Sequence, residues 1–166
     1  RRGRVSEPME YVTLGEADGR VSRLGLGCWA IGGHGYGRTD DAESERVVQA
    51  AVDLGVDFFD TADVYGFGHS ETILGRALGP RRHDVRIATK VGVAWNAAGG
   101  TWRDSSPKRI RSAVDDSLRR LGVEYIWLYQ LHWHDGVTPI EAAIEALAQC
   151  QAAGKVRYVG CCNFGP

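Results

Sequence analysis

Several apolar runs in this chain end in groups that can move protons. Phe58-Phe59 ends in Asp60, with Tyr65 five residues on; Val85-Arg86-Ile87-Ala88-Thr89 ends in Lys90. Ile126-Trp127-Leu128-Tyr129-Gln130-Leu131 ends in His132, and Val156-Arg157-Tyr158-Val159-Gly160 runs on to Asn163. A phenol is a weak acid at neutral pH, and a nearby ammonium favours its ionised form and so makes it a better proton donor. Lys90 is placed to supply that field to Tyr65, Asp60 to hold Lys90 in an ion pair, and His132 to orient a carbonyl by hydrogen bonding. Such a group suits protonation of an oxygen as hydride arrives at the attached carbon. Taken one at a time, each residue has a plain structural explanation: a packed tyrosine, a solvated lysine, a structural Asp-Lys pair. Their recurrence at successive strand ends is what sets them apart.

The elements between these runs must bring the ends together. Tyr11 to Leu14 and Val21 to Leu24 flank a polar turn and read as a small β-hairpin. Leu24 to Trp29 reads as a strand softened by glycines. The loop Gly32-Gly33-His34-Gly35-Tyr36-Gly37 does not match G-x-G-x-x-G; it bends the chain or lets backbone approach a ligand. Asp40 with Glu43 opens a helix carrying Val47, Val48, Ala51, Val52 and Leu54, and Gly55 stops it. Ser70 is the expected cap of the next helix, which Gly79-Pro80 ends. Gly92 to Ser106 reads as a long loop holding Trp95 and Trp102. Ser106 and Pro107 start a helix striped by Ile110, Val114, Leu118 and Leu121. Thr138, Pro139 and Glu141 start another, striped by Ile140, Ala143, Ile144 and Leu147 and ended by Gly154. The order is hairpin, then β-α four times, then a fifth β, which requires a parallel sheet covered by helices. A doubly wound sheet and a (β/α)8 barrel both satisfy it; polar groups at every strand end favour the barrel, whose chemistry sits on the C-terminal rim.

Composition narrows the partners. The chain has 166 residues, 43% of them hydrophobic, and a formal net charge of -1. It is long enough for one compact core and carries no basic block suited to nucleic acid or an anionic membrane. No apolar stretch approaches the roughly 20 residues of a spanning helix, and the expected location is cytoplasmic. Cys28, Cys150, Cys161 and Cys162 lack C-x-x-C spacing and read as free thiols in a reducing compartment. His132 and His134, two apart on a strand, face the same way and form an alternative metal pair, without a second ligand cluster elsewhere. Residues 1–9 read as upstream or tag-like sequence and residues 10–166 as the folded unit.

The motifs Asp60-Thr61-Ala62-Asp63-Val64-Tyr65-Gly66, Gly68-His69-Ser70-Glu71, Ala88-Thr89-Lys90, Leu128 to Trp133, and Gly154-Lys155-Val156-Arg157 leading to Asn163-Phe164 occur in that order. Together with Trp29-Ala30-Ile31-Gly32-Gly33 they resemble the aldo-keto reductase family, most closely the branch with bacterial general stress reductases and potassium-channel β-subunits. The resemblance covers Leu14 to the last residue. It implies the N-terminal part of a (β/α)8 barrel, NADPH as hydride donor, a small carbonyl substrate, and a catalytic tetrad of Asp60, Tyr65, Lys90 and His132 with Tyr65 the general acid. It further implies cofactor contacts at Gly27, Trp29, Cys162 and Asn163, the last through the nicotinamide carboxamide, and a substrate pocket bordered by Trp29, Trp95 and Trp133. The residue before Asn163 is usually Ser in that family; Cys162 is a weaker hydrogen-bonding group.

A complete barrel of this type needs about 250 residues. The sequence is therefore expected to be the N-terminal part of a reductase; the alternatives are an inactive binding or assembly module and a metal hydrolase using His132 and His134. An unclosed parallel sheet exposes two strand edges, which invites self-association.

Overall fold

The computed structural model describes residues 8–15, 19–33 and 36–165. The reading of residues 1–9 as upstream sequence falls mainly on residues 1–7, outside this range. A hairpin of β1 (Tyr11–Thr13) and β2 (Arg20–Ser22) pairs Tyr11 with Ser22. The main body alternates β3 (Leu26–Gly27), α1 (Asp41–Asp53), β4 (Phe58–Asp60), α2 (His69–Leu78) and β5 (Arg86–Val91). A second hairpin follows, β6 (Val93–Trp95) with β7 (Thr101–Arg103). Then come α3 (Pro107–Leu121), β8 (Ile126–Leu131), α4 (Ile140–Ala152) and β9 (Val156–Cys161).

The five strands of the main sheet are all parallel and lie in the order β3-β4-β5-β8-β9. Each helix packs on the next, α1 on α2, α2 on α3, α3 on α4. A doubly wound sheet would reverse its strand order at a switch point. Here the order only advances, as a barrel requires. The core between sheet and helices holds Phe59, Ile73, Leu74, Ile110, Leu121 and Tyr129, all at most 1% exposed.

Local signals behave as their chemistry demands in two of the four helices. Asp40 accepts from the Glu43 amide at the start of α1, and Ser106 accepts from the Arg109 amide at the start of α3. Gly122 then ends α3 in the left-handed conformation. The expected caps of the other two fail. Gly68, not Ser70, stands at the N-cap of α2, and the Ser70 hydroxyl is buried inside the fold. Pro139 stands at the N-cap of α4, and the Thr138 hydroxyl is taken by Asp135. Two apolar stripes are also narrower than expected: Val47 on α1, Leu54 at its C-cap and Ile144 on α4 are exposed, and Ala146 and Cys150 complete the buried face of α4.

The stretch from Gly92 to Ser106 is no plain loop. Its β6-β7 hairpin turns at Asn96, whose side chain accepts from the amides of Ala98 and Gly100. The signal was present as Val93-Ala94-Trp95 and Thr101-Trp102-Arg103 around a turn with Asn and two glycines.

Candidate active site

Parallel register explains why distant residues meet. Asp60 pairs with Ala88, and Lys90 lies two residues beyond; Lys90 pairs with Gln130, and His132 lies two beyond; Gln130 pairs with Gly160, and Cys162 lies two beyond. Steps of two residues keep side chains on one face of a sheet. Backbone bonds carry the ladder past the strand ends, from His132 N to Val91 O and from Cys162 N to Leu131 O. The rim thus collects Asp60, Lys90, His132 and Cys162.

Lys90, 5% exposed, donates to Asp60 Oδ2 at 2.7 Å, to the Thr61 carbonyl at 2.7 Å and to the Tyr65 hydroxyl at 3.4 Å. The Tyr65 and His132 rings meet edge to face with centroids 5.7 Å apart. These four side chains line one cavity of about 600 Å3 together with Trp29, Val64, Val93, Trp133, Cys162 and Asn163. Of the other sequence candidates, Trp95 stands away from the lining: it packs on Phe67 with Arg109 over its ring. Gly27 is also outside the lining, on β3 in register with Asp60.

Tyr65 is held by a scaffold that the sequence reading missed. Asp63, two residues earlier and fully buried, receives the Arg109 guanidinium at 2.6 Å, and the same nitrogen also donates to the Val93 carbonyl. Glu71, equally buried, accepts from Thr89 and from Arg120, each at 2.6 Å. Ser70 donates to the Cys28 carbonyl and bonds the Thr61 hydroxyl. Gly32, where the glycine-rich stretch begins, lies against the turn that follows Tyr65. A Cβ at Gly32 would stand 2.6 Å from the Gly66 nitrogen, so two glycines are needed where this loop crosses the Tyr65 turn. That crossing lays the Trp29 ring on Tyr65 at 6.0 Å.

The acidity of Tyr65 is set differently from the expectation. Burial pushes its phenol above the ordinary value of 10, and the charge and hydrogen bond of Lys90 recover only part of that rise. Burial, reinforced by Lys90, lowers the His132 imidazole to about 4, which leaves it neutral at physiological pH. No described residue hydrogen bonds to its ring, and the buried Nδ1 is unpartnered. Burial also lifts Asp63 to about 8 against the opposing pull of Arg109.

The alternative metal pair does not form. His134 Nε2 bonds the Thr138 carbonyl at 2.6 Å and its Nδ1 accepts from the Gly136 amide at 3.2 Å, so both ring nitrogens are committed to their own loop. Among the described residues, no group of three His, Cys, Asp or Glu side chains is placed to hold a metal ion. All four cysteines are free thiols, and no described helix is long and apolar enough to cross a membrane.

A parallel, sequentially ordered β/α sheet with its polar groups gathered on the C-terminal rim defines part of a (β/α)8 barrel. The model of the aldo/keto reductase family matches residues 23–166, and the chain belongs to that family. It is 42% identical to aldo-keto reductase YhdN of Bacillus subtilis, over 94% of this chain and 47% of the relative. It is 40% identical to aldo-keto reductase yakc [NADP(+)] of Schizosaccharomyces pombe, over 84% of this chain and 42% of the relative. The solved glycerol dehydrogenase AKR11B4 of Gluconobacter oxydans superimposes with a TM-score of 0.86 at 45% identity, over 94% of this chain and 49% of that one. The chain spans about half the length of the curated relatives it matches.

Proposed function

We propose that the protein contributes the catalytic rim for reduction of an aldehyde or ketone to the alcohol, with NADPH as hydride donor and Tyr65 as general acid. One observation carries this reading: a buried ammonium touching both a carboxylate and a phenol at the wall of a cavity wide enough for a small carbonyl compound. An ammonium has no lone pair, so Tyr65 accepts from Lys90 and keeps its own hydrogen for a substrate oxygen. Burial, which weakens the phenol as an acid, keeps that hydrogen in place until negative charge develops on the oxygen. Neutral His132 offers a second hydrogen bond to the same oxygen, and Trp29 and Trp133 supply apolar walls.

The residues present also fit a nicotinamide. Asn163 spends its amide hydrogens on the His132 carbonyl at 2.9 Å and on Cys162 Sγ at 3.2 Å, which leaves its side-chain oxygen to accept from a carboxamide. Gly27 has no heavy atom within 4 Å of where a Cβ would stand, so backbone is open to close approach there. Trp29 borders the same space. When bound, NADPH supplies the hydride. The NADP(+) in the yeast relative's name supports the phosphorylated nucleotide, although an Escherichia coli relative is named as NADH-specific.

Tyr65→Phe keeps the ring and removes the proton. Carbonyl reduction should fall by about a hundredfold, the low end of what a positioned proton donor contributes; turnover within a few-fold of the parent protein would end this assignment. A second reading, as an assembly module, draws on the sheet edges: among the described residues β3 and β9 have a neighbour on one side only, and β9 exposes Val159 and Cys161. Sedimentation across a concentration series tests it, and a monomer throughout would dismiss it.

A further inference from the structure

We infer that Cys162 is a covalent capture site for α,β-unsaturated aldehydes and ketones held in the carbonyl cavity. The inference rests on the proposed reading of that cavity as a carbonyl site. Cys162 is a free, half-buried thiol in the same wall as Tyr65, Lys90 and His132. Its backbone is fixed by the bond to the Leu131 carbonyl, and Asn163 Nδ2 donates to its sulfur at 3.2 Å, which orients the side chain. An independent feature marks where the ligand oxygen goes. His132 is only 8% exposed, lines the cavity and has no described hydrogen-bond partner for its ring. Nδ1 is closed off, so Nε2, which no described residue engages, is the ring nitrogen left to donate to a ligand oxygen. An enal or enone whose oxygen sits between His132 and Tyr65 holds its electrophilic β-carbon in the same cavity that Cys162 lines.

The step is an addition and needs no redox partner. The thiol loses its proton to solvent and the sulfur bonds the β-carbon, breaking the C=C π bond. That electron pair shifts to leave an enolate, whose oxygen takes the Tyr65 hydrogen. Tautomerisation moves this proton to the α-carbon, and Tyr65 regains one from solvent. The product is a saturated carbonyl compound joined to Cys162 by a thioether.

The other cysteines serve as internal controls. Cys161 is more exposed but lies on the opposite face of β9, one residue out of phase. Cys28 and Cys150 are buried, and burial pushes the Cys28 thiol up to about 12.

The test is peptide mass mapping of the protein after exposure to but-2-enal without any nicotinamide nucleotide. Cys162 should gain one but-2-enal ahead of Cys161, and Cys162→Ser should abolish that adduct. Tyr65→Phe should slow capture at Cys162 by about a hundredfold, as loss of a proton donor does, and leave Cys161 unchanged. Methyl methanethiosulfonate, which has no carbonyl, should label both cysteines at rates indifferent to Tyr65→Phe. Modification of Cys161 before Cys162, or a but-2-enal rate insensitive to Tyr65→Phe, overturns the inference. The two readings fail separately. Hydride transfer without Tyr65-dependent capture sinks this inference alone, and Tyr65-dependent capture in a protein that transfers no hydride sinks the reductase reading alone.

Discussion

The resistance of this protein to urea should stay level between about pH 4 and 6.5 and then decline toward pH 8. Two buried groups, His132 on the rim and Asp63 in the scaffold beneath it, set this profile with opposite signs. His132, beside Lys90, is lowered from 6.5 to about 4 in the fold. In that window the unfolded chain binds a proton that the fold refuses, so His132 makes stability rise with pH, at up to about 1.4 kcal/mol per unit. Asp63, facing Arg109, Glu71 and Arg120, is raised from 3.8 to about 8. Here the fold keeps a proton that the unfolded chain releases, so Asp63 makes stability fall with pH across its window at the same maximal slope. Between 4 and 6.5 the two cancel. From 6.5 to 8 Asp63 acts alone, and the loss is about 2 kcal/mol. Asp135 titrates below this range: partial burial pushes its carboxyl up, but donors from Thr138, Val137 and Ser105 together hold it well below the usual carboxylate values. The assay is urea unfolding followed by tryptophan fluorescence at half-unit steps of pH. His132→Gln should turn the level region into a decline from pH 4, and Asp63→Asn should turn it into a rise that levels above 6.5. A parent profile that climbs steadily from pH 4 to 8 would refute the assignment of a protonated Asp63.

Further perturbations address the scaffold beneath Tyr65. Gly66→Ala forces a Cβ into the Gly32 carbonyl at a residue with φ of +59°, and should cost about 1–3 kcal/mol in urea unfolding, the scale of overpacking. Equal stability would show that the loop crossing is loose. Arg120→Met leaves the fully buried Glu71 without its cation and should cost about 3 kcal/mol, the lower end for a broken buried pair because Arg120 is itself partly exposed. Adding Glu71→Gln should return part of that loss, and a double variant no better than the single one would argue against an uncompensated charge.

Much of the fold was legible because it is written in local, periodic terms. The alternation of apolar runs with amphipathic helices, the Ser106-Pro107 start and Gly122 stop of α3, and the polar ends of the strands each depend on a few neighbouring residues. Asp60, Lys90 and His132 could be named as partners because a parallel sheet delivers strand ends to one rim. The sequence could not give the net acidity of Tyr65. Burial and the Lys90 charge act in opposite directions, and only their three-dimensional balance shows that burial prevails. Ser70 and Thr138 look like caps in one dimension, yet tertiary partners, the Cys28 carbonyl and Asp135, claim their hydroxyls first.

Composition and periodicity alone thus determined a helix-covered parallel sheet with an acid, an amine, a phenol and an imidazole on its rim, since strand ends and side-chain alternation follow from nearest neighbours. Only the tertiary structure decided that Arg109 from α3 would clamp Asp63, that Arg120 would reach Glu71, and that Gly32 and Gly66 would touch. Those contacts join residues 34 to 49 positions apart, and no local pattern encodes which charge a folded chain will bury beside which.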